Sequence, residues 1–219
     1  MPVIHLVRHG QASFGTDDYD RLSDLGRVQA TLAGRELARR GIVDPVIISG
    51  TLERQRDTAA LVAAEVGAAK PVMSTDHIDG RLDEFDGHAL IEAHLGQPGI
   101  TDGMSSLDFQ VHLDEAMLAW MHERPESWNA FAGGALEAVR ALAERVPHGH
   151  VGVACTSAGV TGAIVSQVLH AGPETAVALN RVSINASITT LLVGSRGTSL
   201  LTFNDHAHLA ANRAQVTYR

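Results

Sequence analysis

The sequence predicts an α/β protein in three layers, with a mostly parallel central sheet, helices on both faces and an antiparallel element at one edge. Two observations predict this fold. Short runs of branched apolar residues alternate with segments of helical period, as in parallel sheets that are buried on both faces. The last two apolar runs are separated only by a short glycine-bearing loop, which predicts a hairpin and therefore antiparallel strands.

The order of the elements follows from these patterns. Pro2 precedes the first strand, and Gly41 and Gly67 follow the first two helices, where glycine commonly ends a helix. The first helix is predicted from an apolar face of Leu25, Val28, Leu32 and Leu37. The predicted elements are a strand at 3–7, a helix from residue 23, a strand at 46–48, a helix at 52–66, strands at 72–75 and 150–155, a helix at 158–169 and a hairpin of 188–193 with 200–203.

One part of the chain interrupts this alternation. The segment from about residue 88 to 145 is mostly helical and is divided by Pro125, so we expect an insertion that forms a lid. Trp120 and Trp128 are expected to pack inside it. The length of 219 residues, 45% of them apolar, otherwise fits a single domain over 1–219.

The charge balance and the cysteine count limit the partners and the compartment. The chain has 17 Lys and Arg against 25 Asp and Glu, a net charge of -8, which argues against binding to nucleic acid or to an anionic membrane surface. Cys155 is the one cysteine, which excludes an internal disulfide and favours a reducing compartment. Without a signal peptide or a membrane-spanning window, we expect a cytoplasmic protein. The sequence gives no sign of its oligomeric state.

Arg8 and His9 stand where the first predicted strand ends, the edge at which open α/β sheets bind ligands. A neutral imidazole there can act as a nucleophile, and the adjacent guanidinium can hold a phosphate by its fixed fork of donors. Arg54 occupies the equivalent place after the second strand. From these residues alone, each has an alternative. His9 would only cap a loop, and Arg54 would be a solvated helix arginine, as we interpret Arg56 to be.

Four blocks of the sequence resemble the histidine phosphatase family, also called phosphoglycerate mutase-like proteins. They are LVRHG at 6–10, LSDLGRVQA at 22–30, SGTLERQRDTA at 49–59 and FNDHAHL at 203–209, so the resemblance extends from the first strand to the last. It implies a small phosphorylated substrate, with His9 attacking phosphorus and carrying the phosphoryl group while Arg8 and Arg54 neutralise the phosphate oxygens. Such transfer needs in-line positioning and charge stabilisation, which arginines and backbone donors supply without a metal. No metal or other cofactor is expected.

The block RLDEFDG at 81–87 resembles the one in which relatives keep a glutamate as the proton donor to the leaving oxygen, which makes Glu84 the candidate general acid. A carboxyl that acts as an acid near neutral pH needs a raised pKa, through partial burial or through neighbouring carboxylates such as Asp83 and Asp86. The spacing from Glu84 to Gly87 is one residue shorter than in common relatives. Asp86 therefore remains a rival donor, and an ordinary acidic loop remains a further alternative.

The chain departs from the family at VACTSAGV, residues 153–160, where most relatives have a second histidine followed by glycine. That position is Ser157 here. Its hydroxyl offers one neutral hydrogen-bond donor, whereas the histidine of relatives offers a donor that is often positively charged. We expect Ser157 to cap the helix that begins at Ala158, and both residues to bind phosphate at the helix N-terminus. Ser13 stands where many relatives have an asparagine, so that phosphate contact passes to Ser13 or is absent.

Two other interpretations of these residues are less favoured. The stretch CTSAG at 155–159 is close to the G-x-S-x-G turn of α/β hydrolases, but its first glycine is missing. The acid and the histidines that a Ser157 triad would need are crowded into residues 205–208. His206 and His208 also have the spacing of a metal pair, but no third ligand is in view, which favours a structural role in a loop.

The charge of the predicted lid favours one reaction within the family. Between residues 81 and 145 there are four basic residues against twelve acidic ones, a balance that repels the second phosphoryl group of a bisphosphate intermediate. We therefore expect a phosphomonoester hydrolase whose phosphohistidine is resolved by water, with catalysis weakened or altered at Ser157. The alternative is a non-catalytic phosphate-binding or regulatory protein of the same fold, and a mutase or a serine hydrolase is less favoured.

Overall fold

The computed structural model describes residues 1–13, 20–69, 73–74 and 81–218. The strands are β1 Val3–Arg8, β2 Val46–Ser49, β3 Met73–Ser74, β4 Val151–Thr156, β5 Ile188–Gly194 and β6 Gly197–Asp205. The helices are α1 Asp24–Arg39, α2 Glu53–Glu65, α3 Gly87–Leu95, α4 Ser106–Glu123, α5 Pro125–Arg145, α6 Ala158–Val168 and α7 Pro173–Val182, followed by 3-10 turns at Ala207–Leu209 and Arg213–Gln215. No helix in these ranges is both long enough and apolar enough to cross a membrane.

The described strands form one sheet in the order β3-β2-β4-β1-β5-β6. Parallel pairing joins β3, β2, β4 and β1, whereas β5 and β6 add an antiparallel edge, so the predicted fold class is confirmed. Residues 72 and 75 of the predicted third strand lie outside the described residues. Arg8 pairs with Thr156 and Ser49 with Cys155, so β1, β2 and β4 end at the same edge. The loops after these strands therefore meet above that edge.

Helices cover both faces of the sheet, as continuous apolar strands require. Ile4 and Leu6 of β1 pack on one face in a core that α5 and α6 complete. Val7 lies on the other face, in a core that α1 and α2 complete. Side chains alternate across a strand, so β1 contributes to both cores at once and is held firmly at the centre of the molecule.

The segment 88–145 differs in part from the expected lid. Ala138, Val139 and Leu142 of α5 have no exposed area and lie in the sheet core with Ile4, so α5 is a layer helix of the fold. The helices of this segment that reach the strand ends, near Arg8 and His9, are α3 and α4. They pack in a second apolar cluster around Trp120, to which the first half of α5 contributes Trp128 and to which α6 and α7 also contribute. A helix that covers a sheet and a helix that covers a cavity show the same apolar period, which is why the sequence did not separate them.

The first helix forms where it was predicted, but its inner face is different. Leu37 is fully buried as predicted, but Val28 is 46% exposed, and most of the other buried apolar positions are small residues such as Ala30, Ala33 and Gly34. A Cβ at Gly34 would lie 3.0 Å from the Cα of Val62 in α2. The close approach of the two helices at these small residues, together with the burial of Leu37, therefore decides which face of α1 is buried.

Candidate active site

His9 follows β1 in a loop that packs closely against α1. Neither Gly10 in this loop nor Gly26 in α1 has room for a side chain. The His9 N–H donates to the carbonyl of Thr156 in β4 over 2.8 Å, and its Nδ1 lies 2.7 Å from the carbonyl oxygen of Gly10. A Cβ on Gly10 would lie 2.1 Å from the carbonyl oxygen of Gly26, and a Cβ on Gly26 would lie 2.1 Å from that of Gln11. Because a carbonyl can only accept, Nδ1 carries the proton and Nε2 of the neutral ring has a lone pair.

The surroundings of His9 keep its ring neutral. Burial, and then the charges of Arg8 and Arg54, hold the pKa of His9 well below its usual 6.5, against a smaller opposite effect of the hydrogen bond to Gly10. The imidazole is therefore uncharged at neutral pH. This is the form in which Nε2 can attack an electrophile.

Two guanidinium groups converge on this imidazole. Arg54, in the first turn of α2, donates from Nε to His9 Nε2 over 3.3 Å and from Nη1 to the carboxylate of Asp20 over 2.6 Å. Arg8 is 9% exposed and donates from Nη1 to the carbonyl oxygen of Ser183. The structure thus brings Arg8, His9 and Arg54 together. Because the two charges are largely removed from solvent, their field at Nε2 is weakly screened and favours an anion there.

Glu84 reaches the same place from the loop before α3. Its Oε1 accepts a hydrogen bond of 2.9 Å from the N–H of Gly159 in the first turn of α6. Burial raises the pKa of Glu84 above its usual 4.5, although the charges of Arg8 and Arg54 and hydrogen bonds from Ser157 and Gly159 act in the opposite direction. Glu84 therefore keeps a proton to higher pH than an exposed glutamate does.

The two neighbouring aspartates have structural contacts. Asp83 accepts hydrogen bonds from both the N–H and the hydroxyl of Thr51, which ties its loop to the end of β2. Asp86 is the N-cap of α3 and accepts from the N–H of Ala89 over 3.0 Å. Of the three acidic residues in this block, Glu84 is the one whose carboxylate is bonded to α6.

Ser157 does not make the contacts that the sequence predicts for it. It is the N-cap residue of α6 by its backbone, but its side chain makes no capping hydrogen bond, and it is fully buried. Its Oγ accepts from Nε2 of Gln55 over 2.8 Å, and the same Nε2 donates to the carbonyl of Leu82 over 2.9 Å. The predicted cap is therefore wrong, because the Gln55 amide holds the hydroxyl and the Glu84 carboxylate takes the N–H of Gly159. Ala158, the next residue, lines the cavity.

Ser13 is not among the residues that the structure brings to the cavity wall. Its N–H donates to the carbonyl of Arg21 over 2.8 Å, while its neighbour Ala12 lines the cavity. Phe14 and Gly15, which follow it in the same block, lie outside the described residues.

The terminal histidines make loop contacts rather than a metal site or a triad. Nδ1 of His206 donates to the carbonyl of Asn204 over 2.7 Å, and Nε2 of His208 donates to that of Ala186 over 3.1 Å. Ser157 is bonded to Gln55 and to neither histidine, which removes the serine-nucleophile interpretation. In the part of the chain that the structure describes, no group of three His, Cys, Asp or Glu side chains is placed to hold a metal ion.

All of the candidate groups except Ser13 and Ser157 line one cavity of about 610 Å³. Arg8, His9, Arg54 and Glu84 form its charged end. The remaining wall comes from the segment around Phe85, from α3 and α4, and from two residues that the sequence did not point to, Asn180 and Tyr218. Sequence reasoning also missed Gln55 and Asp20. Gln55 carried one usable signal, since it is a polar residue directly beside Arg54 in a helix whose inner face must be buried.

Comparison with known proteins agrees with this architecture. A curated relative, the glucosyl-3-phosphoglycerate phosphatase of Mycolicibacterium vanbaalenii, is 36% identical over 122 residues, which cover 52% of this chain and 45% of the relative. This chain therefore matches less than half the length of that relative.

Solved structures show the same fold at low identity. Bacillus stearothermophilus YhfR superposes with a TM-score of 0.67 at 19% identity, covering 95% of this chain and 99% of the other. A phosphoserine phosphatase mutant from Entamoeba histolytica, in complex with phosphoserine, superposes with a TM-score of 0.62 at 17% identity, covering 95% and 100%. The profile of the Histidine phosphatase superfamily (branch 1) matches residues 4–206. On the strength of this match over nearly the whole chain, the protein belongs to the histidine phosphatase superfamily.

Proposed function

We propose that the protein hydrolyses phosphomonoesters through a phosphohistidine formed on His9. The observation that carries the proposal is the 3.3 Å contact between Arg54 Nε and His9 Nε2, with the buried Arg8 beside it. A phosphate that binds the two guanidinium groups has its phosphorus next to the lone pair of Nε2. Relatives of the same superfamily that are named phosphatases support the reaction class.

The reaction has two steps on the same residues. His9 Nε2 attacks phosphorus, the bond from phosphorus to the ester oxygen breaks, and the departing alcohol takes a proton from Glu84. Water then attacks the phosphorus, the bond to Nε2 breaks, and the Glu84 carboxylate takes a proton from that water. The products are the alcohol and inorganic phosphate. Arg8 and Arg54 stabilise the charge on the equatorial oxygens in both steps.

The pKa directions of the two groups fit these roles. His9 must be unprotonated at Nε2 to attack, and its pKa lies well below 6.5. Glu84 must hold a proton at the start of the first step, and burial raises its pKa. The environment thus raises the pKa of Glu84 and lowers the pKa of His9, which are the directions that general acid catalysis and nucleophilic catalysis require.

Hydrolysis is favoured over transfer to a second position of the same substrate. Among the described residues, Arg8 and Arg54 are the only Lys or Arg side chains on the cavity wall, and both lie at His9. The rest of the wall carries Asp20 and Asp86. A second phosphoryl group would find no Lys or Arg partner there among the described residues.

The serine at position 157 favours weakened catalysis, or the alternative of a phosphate-binding protein without turnover. Removal of one preorganised donor commonly lowers the rate by about a hundredfold or more, and the Ser157 hydroxyl is bonded to Gln55. The contact between Glu84 and α6 supports retained catalysis, because it leaves a buried carboxyl at the charged end of the cavity.

The test compares the native protein with His9→Ala and with His148→Ala, whose exposed imidazole is a matched control. Native protein and His148→Ala should release phosphate from 4-nitrophenyl phosphate and, in an alkaline denaturing quench, should show the mass of one added phosphoryl group. His9→Ala should do neither. Phosphate binding by native protein without turnover or labelling would establish the binding module instead.

A further inference from the structure

The cavity wall away from His9 is largely apolar and rigid. Phe85, Phe109 and Leu113 line it, and Leu52 faces it from the segment before α2. The ring of Phe85 packs edge-on against Trp120, with centroids 5.5 Å apart. Because the aromatic cluster behind this wall is buried, the wall cannot be rearranged cheaply to admit a strongly hydrated group.

Apart from Arg8 and Arg54, the charged side chains of the described wall are carboxylates, and His88 adds an imidazole whose Nδ1 lies 2.9 Å from the hydroxyl oxygen of Thr101. The only described Lys and Arg residues on the wall, Arg8 and Arg54, lie at His9, whereas Asp20 and Asp86 contribute carboxylates. Asp20 in addition accepts a hydrogen bond from Arg54, which brings its charge close to the phosphate position. A second anionic group on a substrate would thus be removed from water without a Lys or Arg partner among the described residues and placed near like charges.

Neutral polar groups supply the remaining recognition. Gln110 lines the cavity and donates from Nε2 to Asp114 over 2.8 Å, which fixes the orientation of its amide. Asn180, on α7, lines the cavity as a second amide. Amides of this kind pair with hydroxyl or amide groups and carry no charge that would compensate a carboxylate.

Resting on the proposed hydrolysis, we infer that the substrate class is the phosphomonoester of an alcohol that carries no further anionic group and has an apolar or aromatic body next to the phosphate. Phosphorylated carboxylic acids and bisphosphates are excluded from this class. The inference separates this cavity from the substrates that the names of its relatives mention, since phosphoserine and glucosyl-3-phosphoglycerate both carry a carboxylate.

The first experiment measures kcat/KM for three substrates with similar leaving oxygens: benzyl phosphate, 4-carboxybenzyl phosphate and ethyl phosphate. Benzyl phosphate should exceed each of the other two by about tenfold or more, because one lacks the apolar body and the other adds an unpaired charge. Equal or better hydrolysis of 4-carboxybenzyl phosphate, or equal hydrolysis of ethyl phosphate, would overturn the inference.

A binding experiment keeps this result separate from the proposed function. Benzylphosphonate and 4-carboxybenzylphosphonate cannot be hydrolysed, so calorimetry reports their affinities whether or not the protein turns over. Tighter binding of benzylphosphonate than of 4-carboxybenzylphosphonate by about tenfold supports the substrate class even if no ester is hydrolysed. Equal affinity contradicts it even if esters are hydrolysed.

A pair of variants tests whether the cavity wall is the cause. Gln110→Arg places a cation on the wall, whereas Val111→Arg places the same charge on the neighbouring residue, which is 48% exposed and does not line the cavity. Gln110→Arg should raise the ratio of 4-carboxybenzyl to benzyl phosphate hydrolysis by about tenfold. Val111→Arg should leave the ratio as in the native protein, and an equal rise in both variants would show a general charge effect and refute the assignment to the wall.

Discussion

Nε2 of Gln55 lies 2.8 Å from Oγ of Ser157, and both side chains are fully buried. Gln55 thus occupies the space beside position 157, where the resemblance to the family predicts a histidine. The contact joins α2 to the start of α6 across 102 residues of sequence. Positions 55 and 157 must therefore be changed together if a histidine is to be introduced at position 157.

Ser157→His alone should destabilise the protein and should not raise kcat/KM. The larger ring must displace Gln55 or the Glu84 carboxyl, and overpacking a buried position costs about 1–3 kcal/mol. Ser157→His combined with Gln55→Ala should recover stability and exceed the native rate, because the imidazole then has room and adds a further donor to those of Arg8 and Arg54. Urea unfolding and kcat/KM of both variants and of Gln55→Ala measure this. A rate gain in Ser157→His alone, at native stability, would contradict the packing argument.

Arg54→Ala should lower kcat/KM by about 10²–10³, the usual loss for one charge-stabilising donor. Arg54→Lys should recover little of it, because an ammonium lacks the planar fork that can contact His9 and a phosphate oxygen together. Arg56→Ala is the matched control, since this exposed residue lies two positions along the same helix and does not line the cavity. Similar losses in Arg54→Ala and Arg56→Ala would refute the assigned role.

The pH dependence of kcat/KM for benzyl phosphate should have two limbs. Activity falls as pH rises through the raised pKa of Glu84, because the protonated carboxyl is lost. On the acid side, activity falls only as pH drops through the pKa of His9, well below 6.5. An acid limb of kcat, which does not report the ionisation of free benzyl phosphate, centred at 6.5 or above would show that His9 is not the neutral, buried imidazole described here.

Replacing Glu84 separates the two candidate proton donors. Glu84→Gln should lower kcat/KM for benzyl phosphate by about 10²–10⁴ and affect 4-nitrophenyl phosphate far less, since nitrophenolate departs without a proton. Asp86→Asn keeps an N-cap for α3 and removes only the charge. If Asp86→Asn, and not Glu84→Gln, lowers kcat/KM for benzyl phosphate far more than for 4-nitrophenyl phosphate, Asp86 is the proton donor.

The stability of the fold should decrease between pH 6.5 and about 4 because of His5. Burial, and then the charge of Arg40, lowers the pKa of His5 from 6.5 to about 4 in the folded protein. In this interval the unfolded chain binds a proton that the folded one does not, so the free energy of unfolding falls as pH falls, by up to about 3 kcal/mol from this group. His5→Gln should flatten that dependence in urea unfolding series at different pH. The exposed His148, changed in the same way, should leave the dependence as it is.

Residues near strand ends were predictable, because the sequence patterns locate the strands and parallel strands end at one edge. This reasoning led to Arg8, His9 and Arg54, which the structure brings together. The environment of Ser157 was not predictable, because it depends on a contact with Gln55 that no local pattern encodes.

The role of α5 and the buried face of α1 were not predictable for a related reason. Both depend on which surface packs against which, and helical period alone does not contain that information.

The close backbone contact of Gly10 and Gln11 with Gly26 has a consequence for redesign. A methyl group at either position would collide with a carbonyl oxygen at 2.1 Å, so the loop that carries His9 would have to move away from α1. Neither glycine is among the residues that line the cavity. A library intended to change the specificity of this protein should therefore leave both positions fixed and vary the wall formed by α4.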